Sequence, residues 1–137
     1  MTSQMTTPIE VAYRDLISDG QIEADAAQAA AMKCFADLFQ SLKDYRPHKK
    51  GGWRTKFRLG KKPAPKGLYL YGAVGRGKSM LMDLFFAHAP VAKKRRVHFH
   101  AFMQETHARI HAFRQANPKS GDPMPAIAKA IAKEVTL

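Results

Sequence analysis

The chain has 137 residues, of which 45% are hydrophobic, and a formal net charge of +12, so it forms one domain at most and is not compositionally disordered. No apolar run approaches the length of a membrane span, because Asp83 and His88 interrupt the longest one. The sequence opens without a signal-peptide pattern, and its single cysteine, Cys34, cannot form an internal disulfide. We therefore expect a soluble, cytoplasmic protein.

Two helices are predicted at the start of the chain. The run Thr7-Pro8-Ile9-Glu10 is typical of a helix start, with a threonine cap and a glutamate that closes a capping box, and Gly20 predicts the end of this helix. A longer helix is predicted from about Asp25 to Lys43. Its apolar face is formed by Ala27, Ala31, Phe35, Leu38, Phe39 and Leu42. Cys34 lies near that face, and we expect it to be buried as a small apolar residue.

A basic segment, residues 43–66, follows without helical or strand periodicity. It holds ten basic side chains and one acidic side chain, a balance of +9, whereas residues 1–42 have a balance of −4. Tyr45, Trp53 and Phe57 lie between the cations, as in grooves that stack nucleic-acid bases. The same composition suits a solvated linker or a segment that docks onto an acidic partner. We favour the linker or docking segment, because no known nucleic-acid-binding fold surrounds these residues.

Residues 67–85 contain the phosphate-loop pattern G-x-x-x-x-G-K-[ST]. Its fixed positions are Gly72, Gly77, Lys78 and Ser79. The apolar and aromatic run Leu68–Tyr71 predicts a strand that leads into the loop. Met80, Leu81, Leu84 and Phe85 recur at helical spacing and predict a helix that leaves it. Strand, glycine-rich turn and helix together favour a nucleotide-binding loop over a flexible turn that only precedes a helix.

The predicted nucleotide site consists of Gly72, Ala73, Val74, Gly75, Arg76, Gly77, Lys78 and Ser79. Successive backbone N–H groups can wrap a polyphosphate where no side chain blocks its approach. Gly75 and Gly77 permit the positive φ angles that such a concave loop requires. Lys78 is the predicted catalytic residue, because its ammonium would reach the β- and γ-phosphates of ATP. The hydroxyl of Ser79 would bind Mg²⁺.

Beyond Pro90, which ends the helix after the loop, four cations at residues 93–96 precede the alternating run Val97–Phe102. The alternation predicts a second strand. The four charges could bind phosphate, but a solvated start of the strand is the simpler interpretation. A helix is then predicted from Met103 to about Asn117.

Four histidines accompany these elements: His98, His100, His107 and His111. His107 and His111 are four residues apart on the predicted helix, a spacing that can bind a metal ion. No nearby cysteine or paired carboxylate completes a ligand set, so we favour surface or packed histidines.

The chain ends with a proline-rich loop, a short helix and an apolar run. Asp122 can cap the helix, which is predicted to extend through Glu134. Val135–Leu137 then predict the start of a third strand. Because the sequence stops there, we expect the chain to be an N-terminal fragment of a longer protein.

The chain resembles the ZapE family of cell-division ATPases, which are AAA+ P-loop proteins with mitochondrial relatives. The resemblance rests on four stretches, namely Gly67–Phe86 around the phosphate loop, Arg96–Met103, His107–His111 and Asp122–Ala128. These stretches are more specific than the loop pattern alone, and the likeness extends from Tyr13 over nearly the whole chain.

This resemblance implies an α/β fold, namely an incomplete AAA+-type P-loop NTPase with a parallel sheet and an N-terminal helical extension. Residues 1–66 would form the helical region with its basic linker, and residues 67–137 the first part of the ATPase domain. The resemblance also implies ATP and Mg²⁺ as cofactors and ATP hydrolysis by the full-length parent. The protein partner that it implies in bacteria is the tubulin-like division ring.

The resemblance further places the acidic Walker B pair on the next strand, after Leu137, with the sensor residues and the arginine finger beyond it. Asp83 and Glu105 lie in the wrong contexts to activate water. We therefore expect nucleotide binding without turnover. We also expect poor stability, because the strand at residues 68–71 would lack its neighbours. A sharp, cooperative thermal transition would contradict that expectation.

Two other functions stay open at this point. A basic nucleic-acid-binding module would use residues 43–66 and 93–96 to contact phosphates, and its affinity for DNA would fall steeply with salt. A P-loop kinase would transfer a phosphoryl group to a small molecule. The kinase is disfavoured, because the run His98–Phe102 and its neighbours match the ATPase family.

Overall fold

The computed structural model describes residues 6–45 and 64–137. Within them, five helices follow one another along the chain: α1 (Pro8–Ser18), α2 (Ala26–Lys43), α3 (Lys78–His88), α4 (Phe99–Ala116) and α5 (Met124–Glu134). The chain divides into two compact units, Met1–Pro90 and Val91–Leu137, here called unit 1 and unit 2. Among the described helices, none combines the length and the apolar character needed to cross a membrane.

The start of α1 is the predicted capping box. Glu10 N donates to Thr7 Oγ1 at 3.4 Å, and Thr7 N donates to Glu10 Oε2 at 2.7 Å. Two backbone donors that the helix itself cannot satisfy are thereby bonded. The helix stops before Gly20, whose φ of +68° only glycine adopts without strain. Both ends of α1 are therefore confirmed.

Helix α2 begins where the sequence predicts, with Asp25 as its cap. Its buried side is formed by Met32, Phe35, Ala36, Leu38, Phe39 and Leu42. The prediction for Cys34 is wrong, because this residue is exposed. It lies directly before Phe35, and one residue along a helix is a turn of about 100°, which is enough to bring a side chain from the buried stripe into solvent.

Unit 1 is held together by apolar side chains from three helices. The rings of Phe35 in α2 and Phe85 in α3 stack with their centroids 5.0 Å apart and an interplanar angle of 29°. Ile9 of α1 and Leu81 of α3 are the largest fully buried side chains. Each buried side chain of this size contributes about 1.5–3 kcal/mol of transfer free energy. Helix α3, which follows the phosphate loop, is thereby fixed against both N-terminal helices.

The prediction of a strand at Leu68–Tyr71 is wrong. The residues have no regular secondary structure, and no backbone hydrogen bond joins them to another segment that the structure describes. The side chains of Tyr69 and Tyr71 are 89% and 82% exposed and stack on each other. An apolar, aromatic run favours an extended backbone, but a strand exists only where a second strand pairs with it.

The strand predicted at Val97–Phe102 is a second error. His98 is the extended cap of α4, and the helix already starts at Phe99. The alternation covers only six residues, whereas a helical stripe of partly or fully buried residues continues from it for three turns. The stripe consists of Phe102, Met103, Thr106, Ile110 and Phe113. The longer period determines the backbone, so α4 starts four residues before the predicted Met103.

The third predicted strand, Val135–Leu137, is not a regular strand, and backbone hydrogen bonds pair its last two residues with residues 93–95. Thr136 N donates to Lys93 O at 2.7 Å, and Arg95 N donates to Leu137 O at 2.8 Å. No regular strand is formed in residues 6–45 or 64–137. The fold class predicted from the resemblance, an α/β fold with a parallel sheet, is therefore contradicted, and the described parts are helical.

In unit 2, α4 packs against α5, and an ion-pair network ties both helices to the segment before α4. Arg109 donates to Glu105 at 2.7 Å and to Glu134 at 2.7 Å, and Arg95 also pairs with Glu105. The guanidinium groups of Arg95 and Arg109 lower the pKa of Glu105 to about 2. Arg109 likewise holds the pKa of Glu134 below its ordinary value.

We expect acid to destabilise unit 2 through this network. The pKa of Glu105 is lower in the folded chain, about 2, than its ordinary value of 4.5. The stabilisation is therefore complete above about pH 4.5 and is lost as the pH falls towards 2. The variant Glu105→Gln should unfold at lower urea concentration at pH 6 and lose part of this acid dependence. The exposed Glu23→Gln serves as the control. Equal acid dependence in both variants, followed through unit 2 amide signals, would contradict the prediction.

Most of the basic segment, residues 46–63, lies outside the described residues, and this includes Trp53 and Phe57. Its interpretation as a linker, a docking segment or a nucleic-acid groove stays a prediction. The predicted domain boundary after residue 66 also stays a prediction.

Candidate functional site

The phosphate-loop residues form a turn directly before α3. Gly75 and Gly77 adopt φ angles of +80° and +75°, as predicted for a concave loop. Gly77 is the cap of α3, and within residues 6–45 and 64–137 no side-chain cap bonds the N–H groups of the helix's first turn. Such uncapped N–H groups, together with the helix macrodipole, attract an anion.

The side chain of Lys78 folds back over the loop. Its Nζ donates to the carbonyl oxygen of Gly72 at 2.8 Å and also to that of Ala73. The ammonium is thereby held next to the first residues of the loop. Ser79, the second residue of α3, is exposed, so its hydroxyl is accessible to a ligand. The loop thus brings together a cation, a hydroxyl and free backbone donors.

Arg76, in the middle of the loop, pairs with the cap of α2. Its Nη2 lies 2.9 Å from Asp25 Oδ2. The N–H of Gln28 is the main cause of the lowered pKa of Asp25, and Arg76 lowers this pKa further. With side chains 58% and 27% exposed, the pair is a surface salt bridge, a class that contributes about 0–1 kcal/mol. The salt bridge can favour this conformation of the loop but is too weak to stabilise it alone.

A second contact between α2 and the loop runs through Gln28. Its Nε2 donates to the carbonyl oxygen of Arg76 at 3.3 Å, and its Oε1 accepts from the hydroxyl of Tyr13 at 3.3 Å. Tyr13 is buried in α1, and this burial raises its pKa, as does the charge of Asp25. The hydroxyl is therefore a protonated donor at neutral pH.

The loop and α2 line an open cleft of about 310 Å³. It is lined by Asp25, Ala27, Gln28, Ala31, Leu70, Tyr71, Gly72, Ala73, Arg76, Lys78 and Leu81. A volume near 300 Å³ is at the lower end for small-molecule sites, and apolar walls with a few polar groups are their usual lining. The loop therefore borders a space that can admit part of a ligand.

We expect Gly77→Ala to destabilise the folded conformation of the loop and to weaken ligand binding. At φ +75° an alanine is strained by about 1–2 kcal/mol, and its Cβ would lie 2.8 Å from Gln28 Nε2. Gly121→Ala is the control, because a Cβ there meets nothing within 4 Å. Urea unfolding of unit 1 measures the difference, and equal midpoints for the two variants would contradict the prediction.

The eight predicted site residues are contiguous, so the loop keeps them together, although the side chain of Val74 is 99% exposed and faces solvent. Sequence reasoning missed Asp25 and Gln28 as partners of the loop. From the sequence, Asp25 is expected only at the start of a helix. Gln28 belongs to no recognisable sequence motif. The hydrogen bonds that join them to Arg76 span 51 and 48 residues, a separation that no local motif records.

Other predicted binding groups lie in unit 2. Lys93 donates to the carbonyl oxygen of Lys133, and Arg95 pairs with Glu105, so these two cations of the run 93–96 have partners within the unit. The four histidines at positions 98, 100, 107 and 111 are exposed, as favoured from the sequence. No group of three or more potential metal-binding side chains is found in the described part of the chain.

Comparison with known proteins relates the chain to a family of ATPases. A family model described as AFG1-like ATPase matches residues 6–137. An uncharacterised protein of Schizosaccharomyces pombe is 35% identical over 164 residues, which cover 99% of this chain and 36% of the relative. Lactation elevated protein 1 homolog B of Danio rerio is 45% identical over 80 residues, 53% of this chain and 16% of the relative. No solved structure gives a significant match.

The cell division protein ZapE of Escherichia coli K12 is 34% identical over 125 residues, 84% of this chain and 33% of the relative. The chain thus spans about a third of the length of the yeast and E. coli relatives. The resemblance predicted from the sequence is confirmed. Since the family model covers nearly every residue, this chain belongs to the AFG1-like ATPase family.

Proposed function

We propose that this chain binds ATP through the phosphate loop, residues 72–79. The observation that carries the proposal is the left-handed Gly77 before α3, which leaves the first N–H groups of the helix uncapped while Lys78 lies over the loop. Free backbone N–H groups, a helix N-terminus and a lysine ammonium are the features that bind polyphosphate at such loops. Membership of an ATPase family supports the same function.

Mg²⁺ would be bound together with the nucleotide. Ser79 would supply one oxygen, and the described residues hold no cluster of acidic or histidine side chains that would bind the ion alone. This donor set fits Mg²⁺, which usually keeps several waters and takes its other ligands from substrate phosphates. When bound, the ion would neutralise charge on the phosphate oxygens.

The cleft beside the loop would take the part of the nucleotide next to the phosphates. Ala31 and Leu70 offer apolar surface to a base or ribose, and the carboxylate of Asp25 offers a polar group. The positions of these groups support one ligand that extends from the loop into the cleft.

Titration with a fluorescent ATP analogue in the presence of Mg²⁺ tests the proposal. Anisotropy should rise to saturation and fall when unlabelled ATP or inorganic tripolyphosphate is added, because the loop contacts phosphates rather than the base. Since the chain has a net charge of +12, the titration is repeated at several salt concentrations to separate the site from general attraction of anions. A flat anisotropy, or binding that salt removes completely, would contradict the proposal.

We further propose that the whole protein hydrolyses ATP and acts on a protein partner in cell division. The support is family membership and the two E. coli relatives, each named cell division protein ZapE. The tubulin-like division ring is the partner that the resemblance implies. Deleting the gene in its own host should lengthen cells, and an unchanged distribution of cell lengths would contradict this role.

A further inference from the structure

Gln28 connects three elements of unit 1. It belongs to α2, accepts a hydrogen bond from Tyr13 in α1, and donates one to the backbone of Arg76 in the loop. The two bonds use opposite ends of the amide. The Arg76 carbonyl can only accept, so it takes the NH₂ end, and the amide oxygen accepts from the Tyr13 hydroxyl. Because Tyr13 is buried, its hydroxyl anchors the amide oxygen of Gln28 to α1.

The same amide also lies where a side chain at position 77 would be. A Cβ on Gly77 would come within 2.8 Å of Gln28 Nε2. The glycine is therefore needed for its left-handed φ, and a larger residue at position 77 would also displace the end of the Gln28 side chain. Gln28 thus bonds the carbonyl oxygen of Arg76 and lies beside the Cβ position of Gly77.

We propose that Gln28 is a positioning residue of the phosphate loop. It holds the Arg76 carbonyl and the turn at Gly77, and through them it sets the direction in which the first N–H groups of α3 point. In this role Gln28 does not itself contact a phosphate. The inference rests on the proposed function, because the geometry that it fixes is the one proposed to bind polyphosphate.

The variant Gln28→Met tests the proposal. Methionine has nearly the same length and helix propensity as glutamine, but it cannot donate to the Arg76 carbonyl, and its sulfur is only a weak acceptor for the Tyr13 hydroxyl. The exposed Gln40→Met, on the same helix, is the matched control. The first measurement is the ¹⁵N order parameter of Gly75 and Gly77 in the full chain without nucleotide. Gly75 is included because the volume around its Cβ position is empty, so it reports loop mobility rather than a changed neighbour.

The order parameters of Gly75 and Gly77 should fall in Gln28→Met and stay unchanged in Gln40→Met. Affinity for ATP and for tripolyphosphate should weaken by about 2- to 10-fold, the range for one neutral hydrogen bond. A purely structural role would lower the melting temperature while leaving the order parameters and affinity at 10 °C unchanged, and this result would overturn the proposal.

If wild-type chain does not bind ATP, the proposed function fails, while the order parameters still decide the role of Gln28. If Gln28→Met does not fold, Tyr13→Phe replaces it, because the change leaves the amide in place but removes the hydroxyl that anchors the amide oxygen to α1. An unchanged loop in Tyr13→Phe then overturns the proposal, and a more mobile loop supports it.

Discussion

Replacing Lys78 with alanine is expected to weaken ATP binding by about 10- to 150-fold. A hydrogen bond to a charged group contributes about 1.5–3 kcal/mol, and each 1.4 kcal/mol is a factor of ten in affinity. The Nζ of Lys78 already lies over the loop, on the carbonyl oxygens of Gly72 and Ala73. A bound phosphate would replace these carbonyl oxygens as the partner of the ammonium.

The loss should be specific for the ammonium and for its place in the loop. Lys33→Ala, on the exposed side of α2, removes the same charge and should leave affinity unchanged apart from a weak salt-dependent effect. Lys78→Arg keeps the charge but replaces a compact ammonium by a wider planar group, so we expect an intermediate affinity. Titration of each variant with the fluorescent ATP analogue, with circular dichroism to verify folding, gives the comparison. Equal affinity of Lys78→Ala and Lys33→Ala would remove Lys78 from the site.

The elements that sequence predicts well are those whose determinants are local. The capping box of Thr7 and Glu10, the end of α1 before Gly20, and the positive φ angles of Gly75 and Gly77 each depend on a few neighbouring residues. The hydrogen bonds of the capping box join residues three apart. The positive φ angles are a property of glycine itself. A short motif contains all the information that such features require.

The strands could not be predicted in the same way, because a strand depends on what lies beside it. Leu68–Tyr71 has the composition of a strand, yet no described segment pairs with it. At Val97–Phe102, two periods compete for the same residues, and the helical one continues further. A six-residue alternation contains too few residues to exclude the longer period.

The contacts that surround the loop are the least predictable part of the site. The phosphate-loop motif identifies residues 72–79, but Asp25 and Gln28 reach Arg76 from another helix. Their positions follow from the packing of α1, α2 and α3, which the core side chains determine. This dependence means that the core of unit 1 should affect the loop as well as stability.

Phe85→Ala should therefore unfold unit 1 or come close to it. Truncation of a buried phenylalanine lowers the free energy of unfolding by about 3–5 kcal/mol, whereas the whole free energy of unfolding of a small domain is about 5–15 kcal/mol. Phe85 is 6% exposed and stacks on Phe35, so both the stack and the buried area are lost. Met82→Ala is the control on the same helix, because Met82 is 45% exposed and alanine is the better helix former of the two. Urea unfolding followed by unit 1 amide signals should give a much lower midpoint for Phe85→Ala, together with loss of ATP binding. Similar midpoints for the two variants would show that α3 is not packed on α2 as described.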